Sequence, residues 1–464
     1  MQKAFLLIYT FLYSIALLFF LPKEYFKRHS NIRKRWIKEK FGFFNKLHLQ
    51  SSTFSLQPSA YLQPSAFSLQ PILSLRPFIW IHAVSVGEVI AIEKLVKELS
   101  KEHQIILSTI TDTGQKVAQE KFKNYPVRVI YLPFDIPCAI KRTIKNFNPL
   151  ALILTETELW PNLIHIASKK IPVIVVNGRL SEKSFKGYKK FKFFIKHLIK
   201  NFSLICVQEK EHKERFIELG ADKEKIHVTG NMKFDIELKQ INFQWESIIS
   251  HPVILAGSTH DPEEEFILNA FLNLNIKSTL IIAPRHPERF NIVEKMIKSK
   301  IEKVSIGIKF SKLSDLQPWG PQKVVSLLGC PSACFPQAES FIILVDQMGI
   351  LGSLYRVCDI AIIGGSFIPH GGQNPLEPAY WKKPIICGPY MHNFPFIEEF
   401  LKEKACLMVD KESLLSSIKK LISSSSLCNN MGEQAYKIFQ KKSGATSRTL
   451  SLLKNYTALF FTNP

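Results

Sequence analysis

No Walker-type lysine loop, HExxH, GxSxG or DxD pair occurs in the 464 residues. Their absence excludes a lysine-cradled triphosphate, a zinc-peptidase helix and a nucleophilic serine elbow. Asp112, in TITDTG, stands without a paired acid, so a metal bridging two phosphates has no support. Cysteine is sparse: eight residues at irregular spacing, and the nearest pair, Cys330 and Cys334, has no second pair or histidine to complete a zinc site. All eight read as reduced thiols in a cytosolic compartment. Acidic side chains are few, 39 against 61 lysines and arginines. The resulting charge of +22 demands an acidic partner: nucleic acid, anionic lipid or a phosphorylated substrate. No nucleic-acid-binding module is visible, and an apolar N-terminus also argues against nucleic acid.

That apolar segment, Ala4 to Leu21, has no charge and is near the lower length limit for crossing a bilayer. Only Lys3 precedes it, whereas Lys23, Lys27, Arg28, Arg33, Lys34, Arg35, Lys38 and Lys40 follow. This asymmetry predicts a single-pass anchor with the body of the protein in the cytoplasm. A cleaved signal peptide is disfavoured: the charged leader is almost absent and no small-residue cleavage site follows Leu21.

Two stretches look inserted. Residues 51–77 repeat FSLQPSA-like units with regular prolines, and 311–339 hold WGPQ, CPSAC and FPQ. Elsewhere short Ile- and Val-rich runs alternate with amphipathic stretches, the pattern of parallel sheets covered on both faces. Expected strands are 78–84, 104–109, 127–132, 150–155, 171–176, 203–207 and 226–229, then 253–257, 279–283, 341–345, 359–363, 384–387 and 405–409. Two such series predict an α/β protein with two Rossmann-like domains facing a cleft. The expected division is an anchor at 1–22, a first domain at 23–240 and a second at 241–464. Ligands of such sheets bind beyond the C-terminal ends of the strands, where the polar clusters fall.

In HAVSVGE, Glu88 closes a strand and opens a helix. Helix capping explains it as well as a general base does, and the helix dipole favours its anion. LTETELWPN sets Glu156 and Glu158 after a strand, as a capping box or as partners of the base. Lys233, in TGNMKFD, is either a surface lysine or a cation offsetting charge on a departing phosphate. AGSTHDPEEE is a glycine turn into a helix, for capping or for phosphate contact, and APRHPERF places Arg285 and His286 in a proline-flanked turn where the arginine suits phosphate contact and the histidine reads as a non-ligand. DQMGILGSLY is weak alone. The richest segment is CDIAIIGGSFIPHGGQNPLEP, 358–378: a strand, two glycine pairs and a helix start, the makings of an anion site. Lastly, 181–202 interleaves seven lysines with aromatics, a solvated basic helix face or a surface for anionic lipid.

Taken in order, HAVSVGE, ETELWPN, NGRLS, GNMKFD, APRHPERF and GGSFIPHGGQNPLEPA resemble the 3-deoxy-D-manno-octulosonic acid (Kdo) transferases of lipopolysaccharide synthesis. The resemblance implies a GT-B glycosyltransferase fold, CMP-Kdo as donor and a lipid A precursor (lipid IVA) as acceptor. It also implies work at the anionic surface of the cell inner membrane, without cofactor or metal. It casts Glu88 as general base, and Glu158, with Glu156 open, and Lys233 as transition-state stabilisers. Donor contacts fall on Pro284, Arg285, Met348, Gly349, Ile350, Asn374, Pro375, Leu376 and Glu377. Ile350 and Gln373 stand where the family usually has glutamate and often has histidine. A GT-B enzyme using a UDP-sugar is the alternative.

Overall fold

The computed structural model describes residues 2–44, 77–303, 307–316 and 340–461. It divides into two compact units, Met1–Asp235 with Lys442–Pro464, and Ile236–Lys441. The repetitive stretch read as an insertion lies outside the described residues except Pro77.

In the first unit, β1 (Phe78–His82), β2 (Gln104–Thr109), β3 (Val127–Tyr131), β4 (Ala151–Thr155), β5 (Val173–Gly178), β6 (Leu204–Val207) and β7 (Ile226–Val228) form one sheet ordered β3-β2-β1-β4-β5-β6-β7. Every pairing is parallel. Alternate residues feed the two faces, as the period of a strand requires. Trp80, Ile106, Leu152 and Val175 join one buried cluster. Ile79, Ile81, Ile105, Ile153 and Ile174 join the other. Their burial on both sides is why these strands read as unbroken apolar runs. Ahead of the sheet, α1 (Gln2–Lys27) and α2 (Ser30–Lys40) precede β1. α1 is the one helix among the described residues long and apolar enough to cross a membrane.

The second unit repeats the plan with β8 (Val253–Thr259), β9 (Thr279–Pro284), β10 (Ile308–Lys312), β11 (Ser340–Leu344), β12 (Ile360–Ile363), β13 (Ile385–Cys387) and β14 (Cys406–Met408), ordered β10-β11-β9-β8-β12-β13-β14. Its strands also pair only in parallel.

Three boundaries differ from the sequence reading. Ile236 begins the second unit, because Phe243 and Trp245 are buried in its core and Lys239 accepts a hydrogen bond from Ser353 Oγ at 2.8 Å. The helix Ala445–Phe461 belongs to the first unit, where Ala445 and Leu453 pack into the cluster containing Ile81 and Val176. Residues 311–316, the start of the second stretch read as an insertion, are built into the second unit: Ser311 and Lys312 end β10, and Leu313 and Leu316 are buried in its core; the rest of that stretch, 317–339, lies outside the described residues.

Candidate active site

In each sheet the order reverses beside the first strand, between β1 and β4 in one unit and between β8 and β12 in the other. Such switch points open a crevice at the strands' C-terminal ends. Glu88 follows β1 there, and Glu156 and Glu158 follow β4.

Glu88 lies in the first turn of the helix Val86–Ala91 and is 9% exposed. Its Oε2 accepts from Val84 N at 2.8 Å, and its Oε1 from Ser85 Oγ at 3.3 Å. Burial pushes its carboxyl up to about 7, the Val84 bond opposes this, and Glu156 and Glu158 add to the rise. The helix start, expected to favour the anion, is outweighed by loss of solvent. A carboxylate ionising near neutrality is matched to taking a proton from a hydroxyl. His82, in the same motif, is not part of this chemistry. It is fully buried, its Nδ1 lies 2.9 Å from Ser108 O, and burial lowers its pKa to about 4.

Glu156 adopts φ 60°, an uncommon left-handed conformation for a side chain of its size. That turn is held by Glu156 N donating to Val176 O at 2.9 Å. It brings Glu156 Oε1 within 3.9 Å of Lys233 Nζ. Burial, then Glu156, raises the Glu158 carboxyl. Lys233 sits in the short 3-10 turn Met232–Phe234. Asn231 Oδ1 accepts from Lys233 N, and buried Asn177 Oδ1 accepts from Met232 N, both at 3.0 Å. Asp235 accepts from the backbone N–H groups of Gly444 and Thr446, which pins the terminal helix beside this turn. The fold therefore gathers Glu88, Glu156, Glu158 and Lys233 in one unit. Asn177 and the Asp235 clasp were not singled out as site residues by sequence. Asn177, in NGRLS, carries a signal in its residue type, since asparagine tolerates its φ of 53°.

The expected donor residues all lie in the second unit, at or beyond the ends of β9, β11 and β12. Pro284 ends β9, and Arg285 N donates to Thr259 O at 2.9 Å. Met348, Gly349 and Ile350 form the turn after β11, with Gly349 at φ 84°. Glu377 lies against the next turn: a Cβ added at Gly352 would be 3.7 Å from Glu377 Oε2. Asn374 Oδ1 caps Leu376 N at 3.1 Å. The helix Leu376–Tyr380 that follows is short, with Pro375 at its N-cap rather than inside its first turn.

Two features complete this unit's crevice. Gly364 has no room for a side chain, since a Cβ would meet Ser258 O at 2.4 Å. Glu263, fully buried, accepts from three backbone N–H groups: His260 and Gly365 on Oε2 at 2.9 and 2.6 Å, and Phe367 on Oε1 at 3.0 Å. It thus ties the turn after β8 to the glycine turn after β12. In sequence it hides among Glu263-Glu264-Glu265, which reads as ordinary helix-start acid. The imidazoles of His286 and His370 flank His260, at ring-centre distances of 5.4 and 4.3 Å. Burial, then these two neighbours, lowers the His260 pKa to about 4, so it is neutral at physiological pH. Among the described residues, no group of three or more His, Cys, Asp or Glu side chains is placed to hold a metal.

Comparison with known proteins settles the family. The family model described as 3-deoxy-D-manno-octulosonic-acid transferase (kdotransferase) matches residues 35–236. A 3-deoxy-D-manno-octulosonic acid transferase of Haemophilus influenzae is 35% identical over 396 residues, spanning 82% of this chain and 87% of that protein. The chain belongs to the Kdo transferase family. A member from Aquifex aeolicus is 34% identical over 353 residues, covering 74% of this chain and 86% of its own. This Kdo transferase is therefore an enzyme, a glycosyltransferase that transfers Kdo in lipopolysaccharide synthesis. The crystal structure of a UDP-GlcNAc 2-epimerase from Neisseria meningitidis bound to UDP-GlcNAc has a TM-score of 0.51 at 13% identity, covering 81% of this chain and 100% of that one. At that identity the likeness concerns the fold alone: two Rossmann-like domains of the GT-B class.

Proposed function

We propose that this Kdo transferase takes Kdo from CMP-Kdo and delivers it to a hydroxyl of a lipid A precursor, lipid IVA, with Glu88 as general base. The observation that carries this reading is the Glu88 carboxyl, buried at the β1–β4 switch point and pushed up to about 7. Glu88 removes the hydroxyl proton as the oxygen attacks the anomeric carbon of Kdo. The bond from that carbon to the CMP phosphate breaks, and CMP leaves with the bonding pair. Glu156 and Glu158 keep Glu88 basic, and Lys233, beside Glu156, offsets negative charge in the transition state.

The donor is held by Pro284, Arg285, Met348–Ile350 and Asn374–Glu377. Arg285 supplies a cation for the phosphate, and Glu377 takes the ribose hydroxyls. Transfer proceeds without a metal or cofactor in this reading, because lysine, arginine and backbone N–H groups meet the charge. The enzyme works on the cytoplasmic face of the inner membrane, attached through α1. Its lysine-rich helices Glu182–Lys190 and Lys192–Ile199 face anionic lipid rather than nucleic acid.

The test is direct. Purified enzyme with CMP-Kdo and lipid IVA should yield an acceptor heavier by at least one Kdo by mass spectrometry. Glu88→Gln should bind CMP yet form product about a hundredfold or more slowly. Transfer by that variant at the wild-type rate would remove Glu88 as the base.

A further inference from the structure

The length and composition of α1 suit a helix that crosses the membrane, but its contacts tell a different story. Near its start, the Phe5 ring stacks on Phe194 with centroids 4.0 Å apart, and Leu6 is buried. One turn on, Thr10 Oγ1 accepts from Asn162 Nδ2 at 2.9 Å. Tyr13 and Leu17 pack on the cluster of Trp36, Tyr131 and Phe134, as do Leu21 and Tyr25. Just past its end, Arg28 Nε reaches Asp112 Oδ1 at 3.3 Å. These contacts recur every three to four residues, so they mark a single face.

From Phe5 to Arg28 that face is about 35 Å long at 1.5 Å per residue. A bilayer's hydrocarbon core is about 30 Å thick. Contact with the globular unit thus runs along the whole length that would be needed to cross. Threading α1 through a bilayer while it stays docked would drag the half-exposed Asp112 carboxylate, and the exposed polar surface beside it, into hydrocarbon, at a cost of several kcal/mol per buried charge.

The two faces also differ in chemistry. Tyr9, Thr10, Tyr13 and Ser14, the hydroxyl-bearing residues of the apolar segment, are all shielded to an intermediate degree. The outward face is purely apolar: Leu7, Phe11, Leu12, Leu18, Phe19 and Phe20 are 59–76% exposed. Phe193, which with Phe5 and Leu6 lines a small apolar hollow, is 48% exposed and its neighbour Phe191 is 63% exposed. Exposed lysines surround these groups, Lys189, Lys190, Lys192 and Lys196 on one side and Lys23 and Lys27 at the far end of α1. An apolar stripe bordered by basic residues is the make-up of a helix lying in a membrane interface.

We infer that α1 does not cross the membrane but lies along it, docked on the first unit by one face and sunk into a single anionic leaflet by the other, together with Phe191 and Phe193. This rests on the membrane attachment proposed above and replaces the single-pass crossing that hydropathy suggests. A sideways helix keeps the first unit against the lipid surface, where a lipid acceptor is presented.

The full-length enzyme with an epitope ahead of Met1, expressed in a bacterial inner membrane, separates the possibilities. Intact spheroplasts are treated with an impermeant protease, before and after permeabilisation. An in-plane helix leaves the epitope uncut until the membrane is opened. A crossing helix exposes it to cleavage in intact spheroplasts, which overturns the inference but leaves membrane attachment standing. In parallel, purified enzyme is floated with vesicles of phosphatidylethanolamine and phosphatidylglycerol. Flotation should fall about tenfold or more when phosphatidylglycerol is omitted. Enzyme that stays in the aqueous fraction, as a monomer or paired through α1 with a second copy, overturns both the inference and the attachment.

Discussion

The Glu88 carboxylate is fastened to the backbone N–H of Val84, four residues earlier, at 2.8 Å. The bond aims the group and tempers its basicity, while burial and two neighbouring glutamates raise it. With ionisation near pH 7, kcat/KM should fall about tenfold for each unit below that value and level off above it. Glu88→Gln should lower kcat by about a hundredfold or more and abolish this limb. A pH profile recorded with saturating donor checks both points.

The same substitution should stabilise the fold at alkaline pH. Because the native carboxyl holds its proton more tightly than in the unfolded chain, the contribution is fully present below about pH 4.5 and is lost as pH rises through about 7. Glutamine suffers no such loss. Glu88→Gln should therefore melt higher than wild type at pH 8, by about 1–2 kcal/mol, and match it at pH 4.5. Equal melting at both values would show that burial does not strain this group.

Lys233 is the cation beside Glu156. Lys233→Met should cut kcat by about a hundredfold, the scale of losing one charge-stabilising donor. Without that cation the carboxylate cluster is more negative, so Glu88 should ionise at a higher pH and the acidic limb should move with it. A drop in kcat with an unmoved limb would limit Lys233 to a contact with the leaving group.

Glu263 should matter to donor binding without touching the donor. In Glu263→Gln one carboxylate oxygen becomes an NH2 that faces an N–H donor, so at least one of three backbone bonds is lost. A destabilisation of about 1–3 kcal/mol is expected. The KM for CMP-Kdo should rise more than kcat falls, measured in steady state.

Gly364→Ala should be harsher than its size suggests. The added methyl would overlap the Ser258 carbonyl, a backbone group that cannot rotate away. A loss of about 1–3 kcal/mol, with loss of the thermal protection given by CMP, is the expected outcome of a melting assay.

What the sequence made legible follows the degree of burial. Strands such as β2 and β5, buried at every position, announce themselves by the short aliphatic runs Ile105–Leu107 and Val173–Val176. By contrast β10, IKFSK at the sheet's edge, is only half shielded and keeps its charges, so its pattern dissolves into the neighbouring segment. The position of Glu88, Glu156 and Arg285 after strands was readable, because the topology confines polar clusters to those ends. Glu263 was not, since its role depends on Gly365 and Phe367, about a hundred positions away. Nor was the sense of the shift at Glu88, because helix position is local whereas desolvation is set by the whole unit.

The clasp between Asp235 and the start of the terminal helix has a consequence for biogenesis. Ala445 and Leu453 fill a core whose other buried members all come from residues 79–232, on β1, β2, β4, β5 and β6 and on the helices between them. A ribosome that has finished the first half of the chain has not yet made this plug. The turn bearing Lys233 must wait for nearly the whole message to be translated before Gly444 and Thr446 can clasp it, so a chain terminated in the second half would lack this support for its first unit.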